Sequence, residues 1–465
     1  MEKPILLAVA TLLAAGCAVG PRYQQPAATV PEAYKGLSAE APRAPESLGD
    51  QEWAEVFQDE TLRQLIRTAL ENNYDLQIAA ARILQAEAQV GIVYSDEFPT
   101  VDGGFAGSSL RTSASRFGVS GFKAFQINEV GIDVTAAWEL DFWRKYRSAT
   151  EAARAYLLAS ESARQAVIRT LVADVAAAYF ELRELDSELE ISKRTLATRQ
   201  DSLDLIRLLA DRGLTSLLDV RQAEQLVYTA SGTIPDLELQ IEQKENQISI
   251  LLGSLPTSVP RGLALTEQPM SPEVPAGLPS ALLERRPDVR EAEQRLMALN
   301  AEINSVRARA FPTIELTGTS GFRSPSLADL FSGPAGLWNF VGSLTQPIFQ
   351  KGKLRAGVRL AEAQEQEALL FYQKTVQQAF REVSDALIAY RKTQEFRQQQ
   401  ELLAESARDA ARLSNVRYQG GVTNYLEVLT SETNIFTAER GLAQAQLAQR
   451  LALVQLYKAL GGGWQ

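Results

Sequence analysis

The sequence predicts an α+β membrane protein built from one unit used twice, each unit running helix, strand, strand, long helix, short helix. Three observations carry this. An internal repeat covers most of the chain, a stretch of period-two hydrophobicity sits between helical stretches, and heptad spacing persists over four heptads.

The repeat orders everything else. Phe98-Pro99-Thr100 recurs 213 residues later as Phe311-Pro312-Thr313. The same offset aligns Leu70-Glu71 with Leu283-Glu284, Asp75 with Asp288, Ala79 with Ala292 and Val93 with Val306. Farther along the offset is 208: Arg147 matches Arg355, Val175 matches Val383, Arg183 matches Arg391, Glu224 matches Glu432, and Leu252-Gly253 matches Leu460-Gly461. The second copy is therefore shorter only between the FPT motif and Arg147 or its partner, as expected for loops between conserved-length elements. The copies span 60–253 and 281–465.

Within the first copy, residues 61–96 are rich in Ala, Leu, Gln and Glu at helical spacing, and the proline of FPT ends that helix. Strands follow in 98–143. There Val130, Ile132, Val134, Ala136, Trp138, Leu140 and Phe142 alternate with Gly131, Asp133, Thr135, Ala137, Glu139 and Asp141, which gives one apolar and one polar face. SASRFGVSGFKAF reads as a hairpin loop. Helices fill 145–252. The first, Lys145 to Asp211, extends about 100 Å at 1.5 Å per residue. Its Leu182, Leu189, Leu196 and Leu203 stand seven apart, Ala178, Leu185 and Ile206 complete a coiled-coil seam, and Ser192 and Arg199 interrupt it with polar groups. Asp211-Arg212-Gly213-Leu214-Thr215 then breaks the helix before a shorter one. The second copy predicts a helix over 281–310, strands over 311–350 with RSPSLADLFSGPAG as their loop, and helices over 351–460 broken at Tyr418-Gln419-Gly420-Gly421-Val422-Thr423-Asn424. Short helices of about 36 and about 37 residues, laid end to end, match the long one of about 67. The Pro-rich segments 17–59 and 254–280 stand outside the repeat, as wraps around it or as plain linkers.

Composition removes whole classes of function. The chain has 465 residues, a formal charge of -10, pI near 5.0, one cysteine and no histidine. An acidic chain does not suit nucleic-acid phosphates. Without histidine there is no imidazole base or ligand, and no Ser-His-Asp or Cys-His machinery. Neither GxxxxGK[ST] nor GxGxxG occurs. No catalytic residue, metal site or cofactor is expected, and the chain reads as a non-enzyme.

Cys17 allows three readings: a core thiol, a nucleophile, or a site of modification. It follows the apolar stretch Ile5 to Ala15, which is too short to span a bilayer and fits the core of an export signal over 1–16. Beyond it no apolar run of about 18 residues predicts a membrane helix. Ala14-Ala15-Gly16-Cys17 resembles the bacterial lipoprotein processing box, with alanine where leucine is commoner. The resemblance implies lipidation (a palmitate-type anchor) at Cys17, and Ala18 in place of aspartate implies passage to the outer membrane.

AWELDFWRKYRS (137–148), LPSALLERRPDVREAE (278–293), FPTIELTGTSGF (311–322), QPIFQKGKLRA (346–356), RYQGGVTNYLEVL (417–429) and LYKALGGGW (456–464) together resemble the TolC-like outer-membrane efflux proteins, and most closely their OprM-type lipoprotein branch. The resemblance covers nearly the whole chain. It implies a homotrimer whose strands close a twelve-stranded β-barrel, continued by a twelve-helix periplasmic α-barrel. Physics points the same way: four amphipathic strands cannot close a barrel alone, and open sheet edges cannot face lipid.

The implied activity is passive conduction of drugs or other small toxic compounds, as the exit duct of a tripartite pump with a periplasmic membrane-fusion adaptor and an inner-membrane RND-type transporter. The runner-up is the outlet of a type I protein secretion system. The helix-turn tips would form the gate, with Asp211, Arg212, Asp219, Arg417, Tyr418, Leu426 and Glu427 as candidates, each charge equally readable as a solvated surface group. Thr430 stands where this branch often has an acidic residue, which shifts the expected acidic ring to Glu427. Gly213, Leu214, Thr215, Gly421, Val422 and Thr423 would meet the adaptor. Trp138, Phe142, Trp143 and Tyr146 crowd the strand-to-helix junction as an interfacial girdle, or as packing beneath it. Metal exporters of the group tend to use methionine and histidine, whereas this chain has three Met and no His, which favours organic substrates.

Overall fold

The computed structural model describes residues 20–27, 30–35, 47–113, 124–268, 275–277 and 279–464. Cys17 and most of the first hairpin loop lie outside them.

In chain order the elements are α1 (Trp53–Val56), α2 (Glu60–Asn72), α3 (Tyr74–Ser95), β1 (Thr100–Thr112), β2 (Phe125–Glu139), α4 (Lys145–Asp211), α5 (Leu217–Leu251), α6 (Pro279–Arg285), α7 (Pro287–Ala308), β3 (Thr313–Ser324), β4 (Gly336–Thr345), α8 (Lys353–Gln419) and α9 (Tyr425–Ala459). The helix, strand, strand, long helix, short helix order thus occurs twice. Two compact units emerge, and each draws on both copies: one from 83–160 and 292–372, the other from 27–82, 161–291 and 373–465.

The first unit holds a four-stranded antiparallel sheet in the order β1-β2-β3-β4. Its register places Phe105 beside Ile132, Ile132 beside Phe322, and Trp138 beside Leu316. Gly318 faces Phe340, and Ser320 faces Trp338. One face therefore collects Val101, Phe105, Ile132, Val134, Trp138, Phe322, Trp338, Phe340 and Leu344, all of them exposed, Trp338 at 81%. The other collects Asp102, Asp133, Thr135 and Thr319, with Thr135 and Thr319 hydroxyls 3.1 Å apart. Among the described residues β1 and β4 each pair on one side only, which leaves the two outer edges of the sheet open.

The structure corrects the length of the alternating strand. β2 stops at Glu139, so Leu140 and Phe142 are not strand residues. The cause is local: Asp141 caps α4, accepting from the amides of Tyr146 (3.1 Å) and Arg147 (2.9 Å), which forces the chain to turn first. Arg144 adopts φ 60 within this turn.

The expected helices over 61–96 and 281–310 are each two helices, broken at equivalent places, Asn73 and Arg286. Asn73 has extended backbone, its side-chain oxygen accepts from Leu76 N at 3.1 Å, and its amide donates to Leu251 O at 2.9 Å. It caps α3 and ties that start to the end of α5. In the second copy Pro287 opens α7, where its missing N–H costs nothing. The Arg286 guanidinium then performs the tie, donating to Ala459 O at the end of α9 (3.2 Å). Short helices do meet end to end, at these two junctions.

The second unit is also closed by segments outside the repeat. The buried Asp59 carboxylate accepts from Thr61 N (2.9 Å), Tyr179 Oη (2.8 Å), Leu263 N (3.0 Å) and Gln268 Nε2 (2.6 Å). These bonds start α2 and clamp the linker after α5 onto α4, and they hold the carboxyl below its ordinary range despite burial. The C-terminal glycines serve the same unit, since a Cβ at Gly462 would stand 2.2 Å from the Tyr457 ring. Among the described residues no helix is long and apolar enough to cross a membrane.

Candidate functional site: the helix-turn tips

Both tips lie in the second unit and are built by the same local chemistry. At the end of α4, Gly213 N donates to Ala210 O and Leu214 N to Leu209 O, both 2.9 Å. At the end of α8, Gly421 N donates to Tyr418 O and Val422 N to Arg417 O, again 2.9 Å. These are paired C-terminal closures around a residue in the left-handed region, and both glycines have φ +71 with open space around the missing Cβ. Backbone conformation, not crowding, requires glycine there.

The residue that caps the next helix comes three residues later in both. Ser216 caps α5 in a reciprocal box with Asp219: Asp219 N donates to Ser216 Oγ (3.3 Å), and Ser216 N to Asp219 Oδ2 (3.0 Å). Thr215 and Ser216 hydroxyls also donate to that carboxylate, at 2.6 and 2.7 Å, and hold its pKa down. At α9, Asn424 accepts from Glu427 N (3.3 Å), while Glu427 accepts from Thr423 Oγ1 and pairs with Arg417 at 3.5 Å. Asp219 and Glu427 are thus first the N-terminal acids of their own helices.

Among the expected gate residues, Asp211 and Arg212 are exposed at the α4 terminus, and Leu426 is 58% exposed. Tyr418 is partly buried against Tyr425, ring centroids 5.4 Å apart, and burial raises its pKa. Among the expected adaptor residues, Leu214 and Val422 are 72% and 71% exposed. The structure brings the two turns together through one apolar cluster: Leu203 and Ile206 of α4, Val220, Ala223 and Val227 of α5, and Tyr425, Val428 and Leu429 of α9.

Sequence reasoning missed the polar groups behind that cluster. Glu188 is buried and accepts from Arg440 (2.6 Å) and Gln444 (2.8 Å). Beside it Glu184 has its pKa raised to about 8, first by burial and then by the Glu188 charge. Glu432 accepts from Ser202 Oγ at 3.1 Å, and Glu439 from Arg408 at 2.8 Å. Ser192 and Arg199, polar interruptions of the heptads, were the available signal; they are 0% and 2% exposed.

In the first unit the four junction aromatics divide. Trp143 stacks on Phe311 (4.9 Å) and donates to Pro312 O (2.8 Å), with Phe142 edge-on to it at 4.9 Å. Tyr146 Oη donates to Glu139 Oε2 (2.7 Å), beside the Lys145–Glu139 pair at 2.9 Å. Trp138 sits on the apolar sheet face and donates to Glu97 O at 3.1 Å.

A repeat of this order, an open-edged sheet with an apolar face, and paired helix-turn tips call for comparison with known channels. The family model described as outer membrane efflux protein matches residues 65–254 and 278–462. The chain belongs to that family. A toluene efflux pump outer membrane protein of Pseudomonas putida, TtgC, is 38% identical over 470 residues, covering 100% of this chain and 96% of the relative. The cation efflux system protein CusC of Escherichia coli is 32% identical over 450 residues, covering 97% and 96%. The solved outer-membrane channel OprN superposes with a TM-score of 0.88 at 31% identity, covering 96% of this chain and all of that one. The open state of the Neisseria gonorrhoeae channel MtrE gives 0.87 at 32% identity, covering 97% and 99%. This efflux protein is therefore an outer-membrane channel component of an efflux pump, of the OprM-type branch, and not an enzyme.

Proposed function

We propose that this efflux protein is the trimeric exit duct of a tripartite pump, passing small toxic organic compounds outward and gated at its helix-turn tips. The observation that carries the reading is the four-stranded sheet with one apolar face and two unpaired edges. In lipid such edges must find partners, and further copies of the same chain supply them. Three copies give twelve strands, enough to enclose a water-filled lumen. Trp138, Phe142, Trp143 and Tyr146 then mark the strand-to-helix boundary, with Trp138 toward lipid and Trp143 as packing beneath. Lipidation at Cys17 would be a sorting tag more than the main attachment, since the closed barrel already holds the protein in the membrane.

At the tips, Leu426 and Glu427 are consecutive residues in the first turn of α9, and in a trimer they would recur as an apolar and an acidic ring. Arg417, Tyr418, Asp211, Arg212 and Asp219 flank them. Leu214 and Val422, with Gly213, Thr215, Gly421 and Thr423 shaping their turns, offer exposed apolar knobs to the adaptor. The absence of histidine and the three methionines support organic substrates over soft metal ions. The test is direct: detergent-purified protein should have the mass of three chains and conduct ions in a planar bilayer. Leu426→Ala with Glu427→Ala should raise single-channel conductance, and an unchanged value would remove the gate from these residues.

A further inference from the structure

The apolar face of the sheet changes character near the hairpin end of β1 and β2. Moving along that face toward the hairpin, β2 presents Trp138, Val134, Ile132 and Val130, opposite Phe105 and its flanking Gly103 and Gly107 in β1. Two polar cross-strand pairs follow, Ser109 with Asn128 and Arg111 with Gln126. All four residues are exposed. Ser109 Oγ donates to Asn128 Oδ1 (2.8 Å), and Gln126 Nε2 donates to Ser109 Oγ (3.0 Å) and Asn128 Oδ1 (3.1 Å). The patch is thus tied together across both strands. Its level is the one a membrane boundary requires. A tilted strand crosses the hydrocarbon in about 9–11 residues, and counted from Trp138 that crossing finishes between Val130 and Asn128. The patch therefore lies among lipid headgroups, on the side of the membrane away from α3 and α4.

The charge of the patch is one-sided. Among the described residues Arg111 has no ion pair and no hydrogen bond. The acid next to it in β2, Glu129, belongs to the opposite face, where it pairs with Arg323 at 3.2 Å. A free guanidinium beside two amide side chains, with no carboxylate on the same face, suits an anion. The planar fork of arginine matches phosphate oxygens two at a time. Duplication does not account for the patch, because the second copy has Phe322, Ser324, Pro334 and Gly336 at the positions equivalent to Ser109, Arg111, Gln126 and Asn128. Polarity alone is thus not what this level of the sheet requires. Below the patch, Gly107 and Gly103 leave open space on either side of the exposed Phe105, which gives an acyl chain room to lie.

We propose that Ser109, Arg111, Gln126 and Asn128 bind the phosphate group of an outer-leaflet lipid, with Arg111 supplying the charge and an acyl chain lying along Gly107, Phe105 and Gly103. The site rests on the channel reading for which face meets lipid and which leaflet it meets. Native mass spectrometry of the detergent-purified full-length protein tests it, with diphosphorylated lipid A and phosphatidylcholine as alternative probes. The wild type should retain lipid A at one molecule per chain and release phosphatidylcholine. Arg111→Gln should weaken lipid A retention about tenfold or more, because the charge-assisted pair is lost. Arg111→Lys keeps a point charge without the fork, so its retention should fall between the two. Arg323→Gln, on the opposite face, should retain lipid A as the wild type does. Equal retention of the two lipids, or the same retention in Arg111→Gln and Arg323→Gln, would overturn the site. Displacement of lipid A by excess inorganic phosphate would overturn it too, since the patch would then hold a free anion and not a lipid. The channel reading fails separately: protein that retains lipid A through Arg111 yet never conducts in a planar bilayer would remove conduction and leave the site standing.

Discussion

The two tips are copies in sequence and in backbone, yet they are not copies in packing. Leu217 and Tyr425 are equivalent first residues of α5 and α9, but Leu217 is 66% exposed and Tyr425 is 5% exposed. The same closure around Gly213 or Gly421 leads one helix out toward solvent and the other into the apolar cluster. Duplication therefore preserved how each turn is made, and neighbouring helices decided what each turn carries. The polar seam shows the same divergence. Arg199 of α4 corresponds to Ala407 of α8, which lies instead in a small cluster with Ala404 and Ala438.

The largest asymmetry should come from Tyr425→Ala. Loss of a buried aromatic ring should cost about 3–5 kcal/mol of stability, against about 0.5 kcal/mol or less for Leu217→Ala. Denaturant unfolding of the detergent-solubilised protein measures both, and equal losses would break the comparison. A second asymmetry is in pH dependence. The raised Glu184 pKa means the folded state keeps a proton that the unfolded chain releases. Its stability contribution is full below the ordinary glutamate range, near pH 4.5, and is lost as pH rises through about 8. Glu184→Gln should flatten the fall in thermal stability over that window. Its equivalent in α8, Lys392, is an exposed residue paired with Glu395, and Lys392→Gln should leave that fall in place.

The glycines test what the copies share. Gly213→Ala and Gly421→Ala should each cost about 1–2 kcal/mol, because each places a Cβ in the left-handed region. Similar losses, read from protease cleavage at the tips, would sharpen the view that the turns are equivalent. The smallest effect belongs to Arg417→Ala. Its pair with Glu427 is 3.5 Å long and half exposed, so the loss should be within about 1 kcal/mol and should vanish at high salt.

Much of this molecule is set by neighbours along the chain. α4 runs from Lys145 to Asp211 as its periodicity predicts, and both tips fall on the glycines that break the helical pattern, because capping and closure use only a few consecutive residues. The order of elements and the two-faced sheet follow from period and repeat in the same way. Other features needed distant partners. Asn73 splits a helix because Leu251, 178 residues away, accepts its amide. β2 ends early because Asp141 is claimed by α4. Glu184 titrates high because burial and the neighbouring Glu188 charge outweigh the lowering pull of Arg440 from α9, and Tyr425 is buried because Leu203 and Val220 reach it from two other helices. Burial and electrostatics depend on which helices surround a residue, and only the tertiary structure brings those helices together.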